Sequence, residues 1–335
     1  MTYTLKDIAI VILNWNGQQL LKQFLPSVVK HSKGSKIYVI DNASTDQSTT
    51  IIKKEFPEIK IIQHQQNLGF AEGYNLGLKY IEASILCLLN NDIEVTEGWL
   101  QPILKSFNLQ EEVAVVQPKI LDYNHKSKFE YAGAAGGFID KFGYPYCRGR
   151  VFNVLEKDHG QYSTEQEIFW ASGACFFIKA SVYKSYHGFD ESFFAHMEEI
   201  DLCWRIFNDY KNILYNGNSK VFHLGGGTLS KSSAKKTFLN FRNNLLTLTK
   251  NASGQIFFLI FTRLVLDGIA GLRFLIKGQI HHCLAIIKAH FSYYWHLPQV
   301  LNQRKLHPKK RKDYYSTKSI IWAHFIKKKK SFKAL

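Results

Sequence analysis

The chain has 335 residues, enough for one large α/β domain with additions or for two modest domains. Apolar residues make up 46% of it and charged residues 21%, which excludes an intrinsically disordered chain. Its five cysteines are Cys87, Cys147, Cys175, Cys203 and Cys283. Their scatter excludes a disulfide scaffold and a C-x-x-C motif, and it favours a reducing compartment. The first residues lack a basic stretch that leads into an apolar one, so we expect no secretory signal peptide.

The net charge of +16 is concentrated near the C-terminal end of the sequence. Residues 301–335 contain 12 Lys and Arg against one acidic residue, Asp313, a net charge of +11. Two runs carry most of it, at 309–312 and 327–330. Such clusters are attracted to anionic lipid headgroups or to nucleic acid, and composition alone does not distinguish the two.

Short apolar runs alternate with helix-like segments over the first 120 residues. The predicted strands are 8–13, 37–40, 59–62, 85–89 and 113–116, and the predicted helices lie near 18–30, 46–55, 71–82 and 97–107. This alternation predicts an α/β fold with a Rossmann-like, mainly parallel sheet flanked by helices. A sheet of this kind binds its ligands at the carboxyl ends of the strands.

The second half of the chain follows a different pattern. Residues 120–230 are less regular, and the glycine-rich stretch 131–137 is predicted to form a loop near a ligand. After about residue 235 the sequence predicts a helical extension. Its segment 255–271 is strongly apolar but contains Arg263 and Asp267, which are spaced to pair on one helix face. We expect an interfacial or core-packed helix there, with a membrane-spanning helix as the alternative.

Polar side chains follow four of the predicted strands. They are Asn14 and Asn16 after the first strand, Asp41 and Asn42 after the second, Asn67 after the third, and Asn90, Asn91 and Asp92 after the fourth. Amide and carboxylate groups at these points can recognise a base and a ribose through hydrogen bonds. Asp46 is predicted to cap a helix, whereas Asp41, directly after a buried strand, is predicted to bind the ligand.

Three glycines recur at every fourth position, Gly69, Gly73 and Gly77. They match neither the G-x-G-x-x-G fingerprint nor the Walker A pattern, so the sequence supports no dinucleotide site and no P-loop. Gly77 is predicted to allow close packing of a helix on the sheet. Gly69 and Gly73 are predicted to let the backbone approach a ligand as well.

Two residues are predicted to hold a divalent metal ion, Mg²⁺ or Mn²⁺. Asp92 ends a very apolar strand, and a carboxylate there can hold the ion against a diphosphate; a helix cap is the alternative. His223 follows a short strand and precedes a glycine-rich loop at 225–227. A lone histidine is more often structural, but a metal site that is poor in carboxylates needs another ligand, which favours His223 as the second metal ligand.

Three carboxylates crowd into four residues at Glu198, Glu199 and Asp201, ahead of an apolar helix. Like charges raise one another's pKa, which suits a general base. The alternative is a negatively charged first helical turn that the helix dipole favours. Asp201 and Arg205 are spaced to form a structural ion pair.

Together these motifs resemble family 2 glycosyltransferases of the GT-A fold, in the branch of bacterial rhamnosyl- and galactofuranosyltransferase-like enzymes. The resemblance covers about residues 6–250 and rests on segments 11–17, 41–46, 67–70, 89–92, 171–174 and 198–201 and on His223. Each motif is weak alone, but the set in this order is specific.

The resemblance implies a role for each of these residues. Asn14, Asn16, Asp41, Asn42, Asn67, Gly69, Gly73, Asn90 and Asn91 would bind the nucleotide sugar, and Trp170, Ser172, Gly173 and Ala174 would border the donor sugar and the acceptor. Asp92 and His223 would hold the metal, with Asn90 in place of the first Asp of the family's D-x-D motif. Glu199 stands where the family has Asp as catalytic base, and Glu198 is the alternative.

The expected function is an inverting transfer of a sugar from a nucleoside-diphosphate sugar to a hydroxyl of a glycan or lipid-linked glycan in surface polysaccharide synthesis. The expected divisions are a GT-A catalytic domain at 1–235, an apolar helical region at 236–300 and a basic tail at 301–335. The apolar region and the tail predict a cytoplasmic protein at the inner face of the plasma membrane, bound to its anionic surface. The later helices offer a dimer surface, and the oligomeric state stays open.

Two other functions compete with this one. A sugar-nucleotide pyrophosphorylase would need a basic, glycine-rich phosphate loop near the first strand, and residues 14–17 contain no Lys or Arg. A nucleic-acid-binding protein would use the basic tail, but charge confined to a tail predicts nonspecific binding, so we expect no specific nucleic-acid partner.

Overall fold

The computed structural model describes residues 2–225 and 233–335. Gly226 and Gly227 of the predicted glycine loop lie outside the described residues. The first elements in chain order are β1 (Ile8–Asn14), α1 (Gln18–His31), β2 (Lys36–Asp41), α2 (Ser48–Glu55), β3 (Lys60–Gln63), α3 (Ala71–Gly77), β4 (Ile85–Asn90), β5 (Ile93–Val95), α4 (Leu100–Leu109) and β6 (Val113–Asp122). The predicted strands and helices are therefore present. The helix predicted near 97 begins only at Leu100, because Gly98 adopts a φ of +71° in the preceding turn.

The second half contains short strands and then long helices. Its elements are β7 (Gly137–Ile139), β8 (Pro145–Cys147), β9 (Arg150–Val151), β10 (Val154–Leu155), β11 (Gln166–Glu167), β12 (Cys175–Lys179), α5 (Ala180–Ser185), α6 (Glu198–Asn208), β13 (Asn212–His223), α7 (Ala234–Asn251), α8 (Ile256–Ile276) and α9 (Ile280–Leu306).

The main sheet has the order β11-β13-β6-β12-β4-β1-β2-β3, with β5 paired to β13. Strands β4, β1, β2 and β3 are parallel to one another, whereas β12 runs antiparallel between β4 and β6. This is the mainly parallel, helix-flanked sheet that the sequence predicts. A second, antiparallel sheet has the order β10-β9-β8-β7.

Apolar side chains cover both faces of the main sheet. Ile8 and Ile10 of β1 pack in one layer with Leu21 of α1, and the alternate residues Ala9 and Val11 belong to the layer on the other face. This alternation follows from the two-residue period of a strand. A strand buried on both faces is held rigidly, so the residues at its carboxyl end have fixed positions.

Gly77 of α3 packs directly on the sheet, as predicted. A Cβ at this position would lie 2.3 Å from Cδ1 of Ile40 in β2. Two non-bonded carbon atoms cannot approach each other so closely. The glycine therefore sets the distance between α3 and the strands beneath it.

The three C-terminal helices pack on the sheet domain and on one another. Asn251 of α7 donates a hydrogen bond to Asp201 of α6 at 2.7 Å, and Thr249 shares one with Tyr293 of α9 at 2.9 Å. Residues 301–306 continue α9, and the following segment returns to the small sheet, where the backbone N–H of Ile320 donates to Asp140 at 2.9 Å.

The predicted pair of Arg263 and Asp267 is present in α8, with 2.8 Å between Nε and Oδ1. Both side chains are buried, and the Tyr144 hydroxyl also donates to Asp267 at 3.0 Å. In the part of the chain that the structure describes, no helix is both long enough and apolar enough to cross a membrane.

Candidate active site

Four strands bring the predicted site residues to one edge of the sheet. Asn14 at the end of β1 lies in register with Asp41 at the end of β2, and Leu13 lies in register with Asn90 at the end of β4. Strand β12 runs the other way and begins at this edge, where the Ala174 carbonyl accepts a hydrogen bond from the Asn90 N–H at 2.9 Å. The segment ahead of β12 thus borders the strand ends.

The asparagines at this edge hold one another in place. Asn91 Nδ2 donates to Asn14 Oδ1 at 2.9 Å, and Asn42 Nδ2 donates to Asn67 Oδ1 at 3.0 Å. Asn16 lies outward and exposed, and its side-chain oxygen accepts from the Thr45 N–H at 2.7 Å. A polar network of this kind fixes its members before any ligand arrives.

The two aspartates after β2 differ in their surroundings. Asp41 is fully buried and accepts a hydrogen bond from the Ser44 N–H at 3.1 Å. Asp46 accepts from the N–H of Gln18 at the start of α1 at 2.9 Å and from that of Ser48 at the start of α2 at 3.0 Å. The predicted capping role of Asp46 is therefore confirmed, and it extends to two helices.

The loop at Gly69 is tied to the segment that precedes α6. Gly69 has a φ of +76°, and a Cβ there would lie 2.6 Å from the Phe194 ring. The N–H of Phe70 donates to the Phe194 carbonyl at 2.8 Å. At Gly73 a Cβ would lie 3.2 Å from the Leu13 side chain. Close packing within the chain thus accounts for both glycines, and their predicted role toward a ligand stays a prediction.

Strand pairing brings the two predicted metal ligands together. His223 ends β13 and pairs with Ile93 of β5, so Asp92, one residue before β5, lies beside it. Asp92 Oδ1 and His223 Nε2 are 3.1 Å apart, and both side chains are buried. Burial alone would lower the pKa of His223, but the charge of Asp92 opposes it and the pKa rises to about 10.

The spacing of Asp92 and His223 fits a pair of adjacent metal ligands. In an octahedral site with bonds of about 2.1 Å, neighbouring ligand atoms lie about 3.0 Å apart. Asp92 Oδ1 is buried and has no aligned hydrogen-bond donor among the described residues. Within 2–225 and 233–335, no three His, Cys, Asp or Glu side chains converge on one point that suits a metal ion. A cation here would therefore take further oxygens from a diphosphate or from water, as Mg²⁺ commonly does.

Glu130 is a neighbour of His223 that the sequence analysis missed. Its Oε2 lies 3.4 Å from His223 Nδ1, and the carboxylate also accepts from the Ala132 N–H at 2.5 Å. A carboxylate behind a histidine ligand fixes the orientation of its ring. No motif marks Glu130, because it lies in the irregular middle of the chain.

The first turn of α6 holds two carboxylates, the buried Glu198 and the half-buried Glu199. In the part of the chain that the structure describes, neither forms an ion pair, and the Oε2 atom of each lacks a hydrogen-bond partner. Burial and the charge of Glu199 raise the pKa of Glu198 well above its usual value. Burial also raises the pKa of Glu199, but backbone N–H groups, including that of Gly173, oppose the rise.

The structure places the predicted base next to the predicted acceptor segment. A Cβ on Gly173 would lie 3.6 Å from the Glu199 carboxyl carbon and 3.6 Å from the Phe70 ring. Trp170 and Ser172 of the same segment are held by hydrogen bonds to backbone carbonyls. Trp170 is buried and donates its indole N–H to the Phe138 carbonyl at 2.8 Å, and the buried Ser172 hydroxyl donates to the Ala132 carbonyl.

Asp201, in the same first turn of α6, forms the predicted pair with Arg205, with 2.9 Å between Oδ2 and Nε. Lys250 of α7 lies 2.9 Å from the same oxygen. Unlike the two glutamates of this turn, Asp201 is therefore compensated in charge.

Helix α7 clamps the strained loop ahead of α6. Phe194, His196 and Met197 have positive φ values of 60°, 71° and 74°. Asn243 Nδ2 donates to the carbonyls of Phe193, Ala195 and His196 at 3.1, 3.0 and 2.8 Å, and Arg242 donates to the carbonyl of Ser192 at 2.9 Å. The motifs of the sequence did not predict this clamp. Its signal was the run of three polar residues at 242–244 between Phe241 and Leu245.

Comparison with known proteins agrees with this geometry. A family model described as glycosyl transferase family 2 matches residues 9–186, more than half of the chain. The hexosyltransferase Agl10 of low-salt glycan biosynthesis in Haloferax volcanii is 24% identical over 259 residues, which cover 76% of this chain and 77% of that protein. The N-acetylglucosaminyl-diphospho-decaprenol L-rhamnosyltransferase of Mycobacterium tuberculosis is 19% identical, covering 74% of this chain and 85% of that protein.

Two solved structures share the fold. The mannosyltransferase PcManGT of Pyrobaculum calidifontis, in complex with GDP-Man and Mn²⁺, superposes with a TM-score of 0.52 at 10% identity and covers 86% of this chain and 87% of its own. GalNAc-T7 with UDP, GalNAc and Mn²⁺ gives a TM-score of 0.58 at 15% identity over 74% of this chain and 48% of that chain, so this chain spans about half of it. The chain thus belongs to glycosyl transferase family 2 and is a glycosyltransferase with a GT-A fold.

Proposed function

We propose that this chain transfers a sugar from a nucleoside-diphosphate sugar to a hydroxyl group with inversion, and that Glu199 is the catalytic base. One observation carries the proposal. Glu199 is a half-buried carboxylate without a cation partner among the described residues, its Oε2 atom lacks a hydrogen-bond partner, and it lies beside Gly173 at the edge where the strands end. A carboxylate that no cation neutralises is available to accept a proton.

The surroundings favour Glu199 over Glu198 as the ionised member of the pair. Two neighbouring carboxylates without a cation resist being charged at the same time, so one of them ionises more readily than the other. Burial and the charge of Glu199 raise the pKa of Glu198 well above its usual value, whereas backbone N–H groups, including that of Gly173, stabilise the charged form of Glu199. This difference favours Glu199 as the ionised member of the pair and as the base.

In the proposed reaction, Glu199 takes the proton from an acceptor hydroxyl while that oxygen forms a bond to the anomeric carbon of the donor. The bond from that carbon to the diphosphate oxygen breaks on the opposite face, and the nucleoside diphosphate leaves with the electron pair. The asparagine network with Asp41 holds the nucleoside. Asp92 and His223 would hold Mg²⁺ or Mn²⁺, which when bound neutralises charge on the departing diphosphate.

We propose a glycan or lipid-linked glycan as the acceptor, at the inner face of the plasma membrane, in the synthesis of a surface polysaccharide. Two relatives support this class, because one is a hexosyltransferase of glycan biosynthesis and the other is an N-acetylglucosaminyl-diphospho-decaprenol L-rhamnosyltransferase. The family match favours transfer over a pyrophosphorylase activity.

The test begins with thermal stabilisation of the purified chain by UDP, dTDP and GDP, each with Mn²⁺ or with chelator. A ligand that binds the folded state raises the melting temperature by mass action, so the responses rank the nucleotides. We expect one nucleotide to stabilise the chain with Mn²⁺ and Asp92→Ala to lose this response. Stabilisation by none of the three would contradict the proposed donor site.

The second arm separates chemistry from binding. Glu199→Gln should abolish transfer from the selected donor and keep the thermal shift, because the amide preserves the shape but does not accept the proton. Glu58→Gln, an exposed carboxylate in the α2–β3 connection, is the matched control and should transfer normally. Retained turnover in Glu199→Gln, or loss of its nucleotide response, would overturn the assignment of the base.

A further inference from the structure

Helix α9 carries a row of exposed apolar side chains along one face. The row consists of Ile280, Leu284, Ile287, Phe291, Tyr294 and Trp295. Its members are spaced three or four residues apart, except for the adjacent final pair, which places them on one side of a helix. Phe291 is 73% exposed and Trp295 is 85% exposed, although each is large enough to contribute strongly if buried.

Helix α8 repeats this pattern. Its exposed apolar residues are Phe257, Phe258, Phe261, Val265, Ile269, Leu272, Leu275 and Ile276. Its opposite face, with Leu259, Ile260 and the pair of Arg263 and Asp267, is buried against the rest of the protein. A helix that is apolar on the buried face and on the exposed face needs a second apolar environment.

The charges around this face have one sign. Residues 256–306 contain a single acidic residue, Asp267, which is buried and paired. Arg273, Lys277 and Lys288 are exposed. Pairing this face with a second copy of itself would bring like charges together, whereas anionic lipid headgroups complement them.

The segment 322–330 adjoins the end of α8. The Arg273 guanidinium lies 4.8 Å from the centre of the Phe325 ring. Trp322 and Ile326 are exposed in the same turn, and the four lysines 327–330 follow directly. Exposed aromatic residues next to a basic cluster supply the two signals, apolar burial and attraction to anionic lipid, that stable membrane attachment requires.

We propose that the exposed face of the α8–α9 hairpin and segment 322–330 form one docking surface for an anionic lipid membrane, with the helices lying in the plane of the interface. The docking surface adds to the proposed function the residues that contact the membrane. It rests on the proposed function only for the placement of the acceptor at the membrane. The apolar row enters the headgroup region, and the lysines contact lipid phosphates.

The test is flotation of the full chain with vesicles of phosphatidylcholine alone and with an equal mixture of phosphatidylcholine and phosphatidylglycerol. We expect binding to the mixed vesicles and much weaker binding to the neutral ones. The double variant Phe291→Ser with Trp295→Ser should weaken binding by about tenfold or more, because two large side chains no longer enter the interface. Replacing lysines 327–330 by Gln should weaken it by about fivefold per lysine at low salt.

The matched control is Tyr80→Ser with Leu109→Ser, which removes two apolar side chains that are 69% and 68% exposed on the sheet domain. It should bind as the unaltered chain does. Equal binding by the Phe291 and Trp295 variant, or no preference for anionic vesicles, would contradict the proposal. So would a stable dimer that this variant dissociates, without vesicle binding, since the face would then pair with a second copy.

The nucleotide response separates the two proposals. A chain that is stabilised by a nucleotide but does not float with vesicles disproves the docking surface and leaves the transferase proposal intact. A chain that floats with vesicles but responds to no nucleotide contradicts the transferase proposal and leaves the docking surface intact. The vesicle variants lie outside the strand-end site, so each should keep the thermal shift of the unaltered chain.

Discussion

The three carboxylates in the first turn of α6 have opposite surroundings. Asp201 contacts Arg205 and Lys250, each at 2.9 Å, and Asn251 at 2.7 Å. Glu198 is also buried and Glu199 is half-buried, but the described residues supply neither with a cation. The first group consists of paired charges that hold α6 to α7. The second is a pair of acids with raised pKa values at the edge where the strands end.

This difference separates structure from reactivity within one helix. A buried carboxylate that is paired contributes to holding the fold, because removing it leaves its partners uncompensated. A buried carboxylate that is unpaired costs stability, and a protein retains it where its proton chemistry is used. The same residue class on the same helix therefore predicts opposite responses to neutral substitution.

The largest expected effect is on stability, at Asp201. Asp201→Asn leaves the buried charge of Arg205 without its carboxylate and Lys250 with Asp190 alone, and it should lower the free energy of unfolding by about 3–5 kcal/mol. Urea denaturation measures the loss. Asp313→Asn, in the exposed pair with Arg311, is the control and should cost about 1 kcal/mol or less. A loss of unfolding free energy as small as that of Asp313→Asn would show that the ion pairs of Asp201 do not hold the fold.

The next largest effect is expected on kcat, at Asn243, which holds the loop ahead of α6. Asn243→Ala removes three hydrogen bonds to the strained loop at 193–196 and should lower kcat by about tenfold to a hundredfold, because Glu199 is no longer held in position. The thermal shift with nucleotide should persist, since the strand-end network is untouched. Asn240→Ala on the same helix is the control. A change in KM alone would argue against a positioning role.

Glu130 extends the comparison to a carboxylate that acts through a neighbour. Glu130→Gln removes the charge behind His223 and should weaken metal affinity by about tenfold. The Mn²⁺ concentration needed for half of the nucleotide-dependent thermal shift measures this affinity. Glu94→Gln in β5 is the control and should leave that concentration unchanged. An unaltered value for Glu130→Gln would show that the ring of His223 is held by other contacts.

The smallest effect is a gain in stability at Glu198. The folded state raises the pKa of Glu198 above its unfolded value, so folding disfavours the ionised form and stability falls as the pH rises through that interval. Glu198→Gln removes this cost and should be more stable than the unaltered chain by about 1 kcal/mol or more near neutral pH. The gain should vanish near and below the usual pKa of 4.5. Urea denaturation at several pH values measures it, and a loss at neutral pH would reverse the interpretation.

The fold was largely predictable because the strands have a clear pattern in the sequence. β1 and β4 are continuous apolar runs, and the polar residues that follow them mark the strand ends, so Asn14, Asp41 and Asn90 could be placed at one edge before any coordinates. The pairs of Asp201 with Arg205 and of Arg263 with Asp267 were equally accessible, because their spacing of four residues is a local property of a helix.

Contacts between distant segments were not accessible in this way. Glu130 reaches His223 because its backbone pairs with Ile120 of β6, which lies beside β13, and Asn243 reaches the loop at 193–196 because α7 packs on α6. Glu130 carries no local pattern that distinguishes it from a surface Glu, and the polar run 242–244 does not say what Asn243 contacts. The irregular middle of the chain offered no periodicity from which to place them.

Local periodicity and residue chemistry by themselves determined the sheet, the order of the polar strand ends and the basic, apolar character of the C-terminal region. Only the tertiary structure decided which charges are compensated. Glu198, Glu199 and Asp201 look alike in the sequence, but the packing of α7 gives Asp201 its Lys250 and leaves the glutamates without a cation among the described residues. Whether a buried charge holds the fold or serves chemistry depends on which side chains surround it, and long-range packing sets those neighbours.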